Sequence, residues 1–184
     1  MGIQLKTDAK ICFTAAGQTF HEGKLLLVRH RKLGVWLAPG GHLDPGELPH
    51  LGAEREVFEE TGVIVQALDP NTVLESTTST YIPSPIICNV HWVCEENYRC
   101  RIQDGDSYQR DPKWQKGCEQ HLGFVYLMRA IDSVSLKIND RESTGIGWFS
   151  EHEITALQTT EDLKREFSYG FRLIATMPQE PIRG

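Results

Sequence analysis

Three features are missing from this 184-residue sequence: an apolar stretch of membrane-spanning length, a long basic patch and an internal repeat. A helix that crosses a bilayer needs about 20 consecutive apolar residues, so no membrane segment is predicted. The formal net charge of −6 at pH 7 argues against binding of long nucleic acid through a general basic surface. We therefore expect one domain, spanning residues 1–184, whose partner is a small phosphate compound.

Cysteine is infrequent and odd in number, and no apolar run of secretory type precedes the first cysteine. Both features favour reduced thiols in a cytoplasmic protein. The five residues are Cys12, Cys88, Cys94, Cys100 and Cys118.

Two Cys/His pairs leave a zinc site as a secondary hypothesis. His91 and Cys94 are three residues apart, as are Cys118 and His121, and such spacings are typical of zinc ligands. Residues three apart on a strand point to opposite faces, however. Both pairs would therefore have to bend to place four ligands around one ion.

An acidic segment at residues 49–61 predicts a short helix. Pro49 suits the first turn because its missing N–H would have no intrahelical partner there, and Gly62 suits the position just past the end. At 100° per residue, three carboxylates lie within an arc of about 100°, and we expect the apolar residues of the adjoining arc to pack on a core. The carboxylates are Glu56, Glu59 and Glu60; the apolar residues are Leu51, Ala53, Val57 and Phe58.

Convergent carboxylates on one helix predict a cation. Like charges at these spacings weaken an isolated helix by a few tenths of a kcal/mol per pair, and a divalent ion would reverse that sign. Carboxylates with carbonyls and waters form the all-oxygen surrounding that Mg²⁺ or Mn²⁺ accepts. The alternative for an isolated E-x-x-E-E segment is a solvated acidic face.

The wider segment 41–63 favours the metal interpretation. It resembles the Nudix box, G-x5-E-x7-R-E-U-x-E-E-x-G-U with U an aliphatic residue. Seven fixed identities coincide by chance on the order of 10⁻⁸ per start position, given average usage of about 7% or less per residue type. The sequence matches at every position: Gly41, Glu47, Arg55, Glu56, Val57, Glu59, Glu60, Gly62 and Val63.

This resemblance implies a Nudix-type pyrophosphohydrolase. Such an enzyme uses Mg²⁺, or Mn²⁺, to cleave a phosphoanhydride bond in a nucleoside diphosphate linked to another moiety. The implied metal ligands are Glu56, Glu59, Glu60 and the carbonyl of Gly41. Arg55 and Glu47 would form an ion pair that holds the loop against the helix.

The general base is not determined by the box. One of the box glutamates could serve, or a residue on a later loop. Glu142 in the polar segment 138–145 is our candidate, with plain solvation of that loop as the alternative.

Contacts to the substrate are predicted on the segment that precedes the box. Arg29 and Arg31 could bind phosphates, although exposed charges of this kind usually only face solvent. Trp36 and Tyr126 could stack on a base, with core packing as the alternative. The expected partner is a small nucleotide-type substrate, and a homodimer stays open.

Two other functions compete with hydrolysis of a small nucleotide. One is a nucleotide-binding or sensor domain that keeps the fold without turnover, which the intact acidic set disfavours. The other is an RNA 5′-end pyrophosphohydrolase, which the missing basic patch disfavours.

Hydrophobic patterning predicts an α/β fold with a mixed sheet, and the resemblance supplies its name, the Nudix α/β/α sandwich. A capping box at Ser150 and Glu153 predicts a short helix, and Thr159 or Thr160 starts a last helix with an apolar stripe at Leu163, Phe167, Phe171 and Ile174. The predicted strands are residues 10–19 with a turn at Gly17, 24–29, 36–41, 63–68, 86–93, 121–130 and 146–149.

Two long polar segments interrupt this pattern. Residues 75–85 predict a loop. Residues 94–119 predict a hairpin-like insertion, because Tyr98, Cys100 and Ile102 alternate with polar residues before a turn signal at 104–105.

Overall fold

The computed structural model describes residues 9–70, 76–103 and 117–178. Within these ranges eight strands form one sheet, accompanied by four helices and a π-helical turn at Arg99–Gln103. The strands are β1 (Ile11–His21), β2 (Lys24–His30), β3 (Trp36–Leu37), β4 (Gly40–His42), β5 (Val65–Leu68), β6 (Ile87–Trp92), β7 (Gln120–Ala130) and β8 (Ser143–Phe149). The helices are α1 (Pro49–Thr61), α2 (Glu95–Tyr98), α3 (Glu151–Ile154) and α4 (Glu161–Ile174).

Strands β1 and β7 form the centre of the sheet. They pair in parallel, from Ile11 opposite Gln120 to Phe20 opposite Arg129, whereas the other pairings are antiparallel. The order is β3-β2-β1-β7-β5, and β4, β6 and β8 pair with β1, β7 and β2 respectively. The predicted mixed sheet is confirmed.

Two apolar layers cover the two faces of the sheet. On one face, Ala53 and Val57 of α1 pack with Met128 of β7. On the other face, Phe167 of α4 packs with Leu127, together with the apolar stripe of that helix. Helices on both sides of a mixed sheet confirm the predicted α/β/α sandwich.

The local signals for the helices are confirmed. Helix α1 begins at Pro49 and ends at Thr61, and Gly62 adopts a left-handed φ of 73° while its N–H donates to the Phe58 carbonyl at 2.8 Å. Ser150 and Glu153 form the reciprocal capping box of α3. Thr160, one of the two predicted caps, accepts a hydrogen bond from the backbone N–H of Leu163 at the start of α4.

The predicted apolar face of α1 was too wide. Ala53 and Val57 are fully buried, but the side chains of Leu51 and Phe58 are 47% and 51% exposed. At 100° per residue, these two lie about 120° and 100° away from Val57 around the helix. They therefore fall outside the arc that faces the sheet.

The predicted turn at Gly17 is also wrong, because β1 continues through this residue. A Cβ at Gly17 would clash with the sulfur of Met128 and would lie 2.6 Å from Cγ2 of Val57. The glycine therefore lets α1 approach the sheet closely, and it does not reverse the chain.

The described part of the insertion is helical, which contradicts the predicted hairpin arm. Residues 95–103 form α2 and the π-helical turn, and the 104–105 turn signal lies outside the described residues. The buried Asn97 amide donates to the carbonyls of Cys118 and Glu119, each at 3.2 Å. These two long-range hydrogen bonds favour a compact helical turn. The alternation of apolar and polar residues at 98–103 had suggested a strand instead.

The remaining predicted loop is confirmed over the residues that the structure describes. Residues 76–85 form neither helix nor strand, and residue 75 lies outside the described ranges. Across those ranges, every helix is too short or too polar to cross a membrane.

We expect Phe167→Ala to destabilise the fold by about 3–5 kcal/mol, because it opens a cavity in the layer beneath α4. Tyr169→Ala on the same helix is the control, since Tyr169 is 38% exposed. The loss of unfolding free energy in Tyr169→Ala should stay below about 1 kcal/mol. Urea unfolding measures both, and equal losses would contradict the assignment of Phe167 to the core.

Candidate active site

The backbone of β4 lies directly beneath the acidic side of α1. Pairing with β1 places Gly41 opposite Ala15, and a Cβ on Gly41 would lie 2.5 Å from Oε1 of Glu56. The neighbouring Gly40 N–H donates to Oε2 of Glu60 at 3.3 Å. Only a glycine at position 41 leaves room for the Glu56 carboxylate at this place.

Arg55 and Glu47 form the ion pair that the box resemblance implied. Nε and Nη2 of Arg55 donate to the two carboxylate oxygens of Glu47, each at 2.9 Å. Nη2 also donates to the His42 carbonyl at 3.0 Å. This bidentate pair ties the loop after β4 to the first half of α1.

The same guanidinium reaches two of the remaining box carboxylates. Nη1 of Arg55 donates to Glu56 at 2.9 Å and to Glu59 at 3.2 Å. Hydrogen bonds from Arg55 lower the pKa of Glu47, and the bonds to Glu47 raise the pKa of Arg55. Arg55 therefore stays charged and sets the positions of three carboxylates.

Glu60 is the most buried of the acids, with only 4% of the residue exposed. Burial, followed by the charges of Glu142 and Glu56, raises the pKa of Glu60 to about 8. Burial likewise raises the pKa of Glu56, against the opposing effect of Arg55. The site thus holds more negative charge than its surroundings accommodate, which is the condition that a bound cation relieves.

Glu142 lies close enough to act electrostatically on both of these carboxyls, although it is distant from them in sequence. Its carboxylate accepts a hydrogen bond from the Asn139 side-chain amide at 3.1 Å. The Asn139 backbone N–H in turn donates to the Glu60 carbonyl at 3.3 Å. The structure therefore brings the loop candidate and the box acids together.

The donor set fits a hard divalent ion. The candidate ligands all offer oxygen, from carboxylates and from the glycine backbone, and oxygen ligands are what Mg²⁺ and Mn²⁺ prefer. The carboxylates that would hold the ion are Glu56, Glu59 and Glu60, alongside the carbonyl of Gly41.

The predicted substrate contacts lie near β8. Arg31 uses Nη2 to bind the carbonyls of Asp140, at 2.6 Å, and Ser143, at 3.4 Å. Arg29 donates to the Gln158 side chain at 3.3 Å. Arg31 is thus engaged with the loop that carries Glu142 and is not simply solvated.

The two aromatic candidates differ in burial. Trp36 is half-buried, and its ring packs edge-on against Phe149 with 4.9 Å between ring centroids. Tyr126 is only 2% exposed and belongs to the core, where burial raises its pKa to about 12. The core alternative therefore holds for Tyr126, and base stacking stays a prediction for Trp36.

Residues 138–141 were predicted only as part of a polar loop, and no contact with the site was predicted for them or for Lys137. Residues 137–141 line a cleft of about 420 Å³ beside Phe58, Glu59 and Gly62. The Lys137 N–H donates to the Thr61 carbonyl at 2.8 Å, which seats the loop on the end of α1. A local signal was available, since Asn139 accepts from the Arg141 N–H in a turn that asparagine favours.

The cysteine predictions are partly wrong. Cys12 and Cys118 form a disulfide with 5.7 Å between Cα atoms, whereas the other three cysteines, all within the described ranges, are not disulfide-bonded. The parallel register of β1 and β7 causes this encounter, because it places Cys12 opposite His121, shortly after Cys118. The sequence offers no local sign of that register.

The predicted zinc set is corrected as well. In the described ranges, the Cys/His donor atoms that lie within 4.8 Å of one another belong to Cys12, His42 and Cys118. Of the predicted four, only Cys118 is in this group; His91, Cys94 and His121 are not, although the His91 and His121 ring centroids lie 5.5 Å apart. Burial, followed by the neighbouring His42 and His91, lowers the pKa of His121 to about 4.

Comparisons with known proteins identify relatives of this fold. A family model described as NUDIX domain matches residues 12–171. A MutT-like protein of Streptomyces ambofaciens is 42% identical over 57 residues, which are 31% of this chain and 37% of that protein. The chain thus spans little more than a third of that relative's length.

Solved structures match over most of the chain. A NUDIX-family hydrolase from Clostridium perfringens has a TM-score of 0.66 and 21% identity, covering 88% of this chain and 97% of that one. A C. elegans Ap4A hydrolase binary complex has a TM-score of 0.57 and 11% identity, covering 91% and 99%. At these identities the likeness is one of fold.

We expect the pKa of Glu60 to make stability fall with rising pH in the absence of divalent ions. Between the unfolded value of about 4.3 and the folded value of about 8, only the folded protein holds this proton. Raising the pH through that window therefore removes up to about 1.4 kcal/mol per pH unit. Glu60→Gln has no such proton to lose. As the pH rises, the unfolding free energy of wild type should therefore fall relative to that of Glu60→Gln, measured in the presence of a chelator.

The control for this pH series is Glu59→Gln, which removes a half-exposed carboxylate from the same helix. Its stability should follow the wild-type curve. Parallel curves for wild type and Glu60→Gln would show that Glu60 is ionised in the folded protein, contrary to the structure.

Proposed function

The chain belongs to the NUDIX family, and we propose that it is a Mg²⁺- or Mn²⁺-dependent pyrophosphohydrolase of small nucleotides. It cleaves a phosphoanhydride bond in a nucleoside diphosphate linked to another moiety. One observation carries this proposal: Glu56, Glu60 and Glu142 crowd their charges together beside the backbone of Gly41. A purely structural or solvated acidic face would not bury a carboxyl as deeply as Glu60.

Glu56, Glu59, Glu60 and the Gly41 carbonyl are the proposed ligands. A bound divalent ion neutralises charge on the phosphoryl oxygens and helps to place the attacking water. The high pKa of Glu60 means that this carboxyl is protonated near pH 7 without a cation. That proton would be released if the carboxylate bound a divalent ion.

Glu142 is the proposed general base. It accepts a proton from the attacking water, and the hydrogen bond from Asn139 fixes the orientation of its carboxylate. Arg31 donates its backbone N–H to the Glu142 carbonyl at 2.7 Å. Asn139 therefore fixes the side chain of Glu142, and Arg31 fixes its backbone.

Arg55 is a positioning residue in this scheme. It orients Glu56 and Glu59 through one nitrogen and holds the Glu47 loop through the other two. Such outer contacts to metal ligands commonly affect affinity or activity by 10–100-fold.

Arg29 and Trp36 are the proposed contacts to the nucleotide. A Cβ at Gly145 would lie 2.9 Å from the Trp36 ring and 3.4 Å from Cβ of Arg29. Both side chains therefore border β8 three residues beyond Glu142. Arg31, whose guanidinium binds loop carbonyls, acts by supporting that loop.

We also propose that the chain acts as one domain in the cytoplasm. The family model, which extends from β1 into α4, supports a single domain. The Cys12–Cys118 disulfide is the observation that stands against a reducing compartment.

Hydrolysis of a substrate panel tests the proposed activity. The panel contains a nucleoside triphosphate, a dinucleoside polyphosphate, a nucleoside diphosphate sugar and a capped RNA, each assayed with Mg²⁺ and with chelator. We expect Mg²⁺-dependent turnover of at least one small nucleotide. Turnover of capped RNA alone would favour the RNA-end alternative, and binding without turnover would favour a sensor domain.

Glu59→Gln should abolish hydrolysis or reduce kcat by at least roughly 10²-fold, because it removes a proposed metal ligand. The matched control is Glu161→Gln, whose carboxylate is 77% exposed on α4. That variant should keep wild-type turnover. Full activity of Glu59→Gln would show that the metal assignment is wrong.

Glu142→Gln should lower kcat by roughly 10²–10⁴-fold with little change in the apparent Mg²⁺ requirement, since it removes the proton acceptor. A variant that keeps the wild-type kcat, or that changes only KM, would place the base elsewhere.

A further inference from the structure

Cysteine and histidine side chains gather on the face of the sheet opposite the carboxylates. Gly41 faces Glu56 beneath α1, and successive residues of a strand point to opposite faces, so His42 points away from the acids. Cys12 on β1 lies opposite His121 on β7 in the parallel register. Cys118 lies two residues before β7 and reaches the same place.

The distances within this group suit a tetrahedral metal. Sγ of Cys118 lies 3.4 Å from Nε2 of His42. Metal–sulfur and metal–nitrogen bonds of 2.3 and 2.0–2.1 Å at a tetrahedral angle separate S and N by about 3.5 Å. His121 is outside this group of three, but its ring centroid is 4.9 Å from that of His42, and the strand register places it opposite Cys12. It would become the fourth ligand if its imidazole turned toward the other three.

We propose that Cys12, His42, Cys118 and His121 form a Zn²⁺ site when the Cys12–Cys118 disulfide is reduced. Two thiolates and two imidazoles are a donor set that selects zinc over Mg²⁺, because sulfur is a soft ligand. This site is separate from the all-oxygen carboxylate site and does not depend on the proposed hydrolysis.

The disulfide and the metal exclude each other. Two thiolates on one tetrahedral Zn²⁺ lie about 3.8 Å apart, whereas disulfide sulfurs are bonded at about 2.05 Å. A dithiol reductant breaks the S–S bond, gives two protein thiols and is itself oxidised to a disulfide. Both thiols then release their protons as Zn²⁺ binds.

The site is structural in character. Four protein ligands leave no open position for water or substrate, which distinguishes structural from catalytic zinc. The ion would join β1, β4 and the end of the 94–119 insertion, where Asn97 and Arg101 already anchor to residues 118 and 119. The disulfide in the oxidised protein and the Zn²⁺ ion in the reduced protein would therefore both attach the end of the insertion to the sheet.

Metal titration of the full chain tests this proposal. The protein is stripped of metal, reduced with a phosphine, and titrated with Zn²⁺ and with Co²⁺, whose thiolate charge-transfer band reports sulfur ligation. We expect one ion per reduced chain with that band, and no such uptake by the disulfide-bonded protein. Glu59→Gln should leave this uptake unchanged, which separates it from the carboxylate site.

Variants define the ligand set. Cys118→Ser, His42→Ala and His121→Ala should each weaken Zn²⁺ binding by more than the roughly 10–100-fold cost of losing an outer partner. Cys88→Ser and His91→Ala are the matched controls, and each should weaken Zn²⁺ binding by less than this roughly 10–100-fold factor. Equal uptake by Cys118→Ser and wild type, or equal uptake by oxidised and reduced protein, would overturn the proposal.

A second measurement avoids variants that fail to fold. Alkylation of reduced wild-type protein, mapped by peptide mass spectrometry, should be slowed by Zn²⁺ at Cys12 and Cys118 but not at the exposed Cys88. Unchanged alkylation of both residues at saturating Zn²⁺ would also overturn the site.

Discussion

Several carboxylates are held close together in a partly buried site despite their mutual repulsion. Glu60 is buried near the end of α1, and its charge is disfavoured by burial and by Glu142 and Glu56. Arg55 offsets part of that repulsion by binding Glu56 and Glu59. What Arg55 leaves uncompensated is the negative charge around Glu60, which a divalent ion would neutralise.

The fold holds these charges in place by packing both sides of the sheet. Ala53 and Val57 lock one flank of α1 onto β1 and β7, while Gly17 lets the helix come close. Pairing of β4 with β1 then places Gly41 beneath Glu56. Because the apolar core fixes the helix and the strand independently, the carboxylates cannot move apart to relieve their repulsion.

Local signals made much of this arrangement predictable. Pro49 and Gly62 gave the bounds of α1, and the box spacing correctly anticipated the Arg55–Glu47 pair. The width of the buried arc was not predictable from apolarity alone, because Leu51 and Phe58 are apolar but face away from the sheet.

Long-range pairing accounts for what the sequence did not reveal. The distance of Glu142 from the box acids depends on the loop at 137–141 and on its seat at the end of α1. The Cys12–Cys118 bond joins residues 106 positions apart, through the register of β1 and β7. Likewise, the helical start of the insertion is held by a hydrogen bond from the Asn97 side chain to the carbonyl of Cys118, just before β7.

Calorimetric titration of Mn²⁺ into metal-free protein shows whether the box carboxylates bind a divalent ion. Performed near neutral pH in two buffers of different ionisation enthalpy, it reports both metal uptake and proton release. We expect saturable uptake with release of the Glu60 proton, and loss of that release in Glu60→Gln. Absence of uptake, even beside a non-hydrolysable nucleotide analogue, would contradict a carboxylate site built to hold a divalent ion.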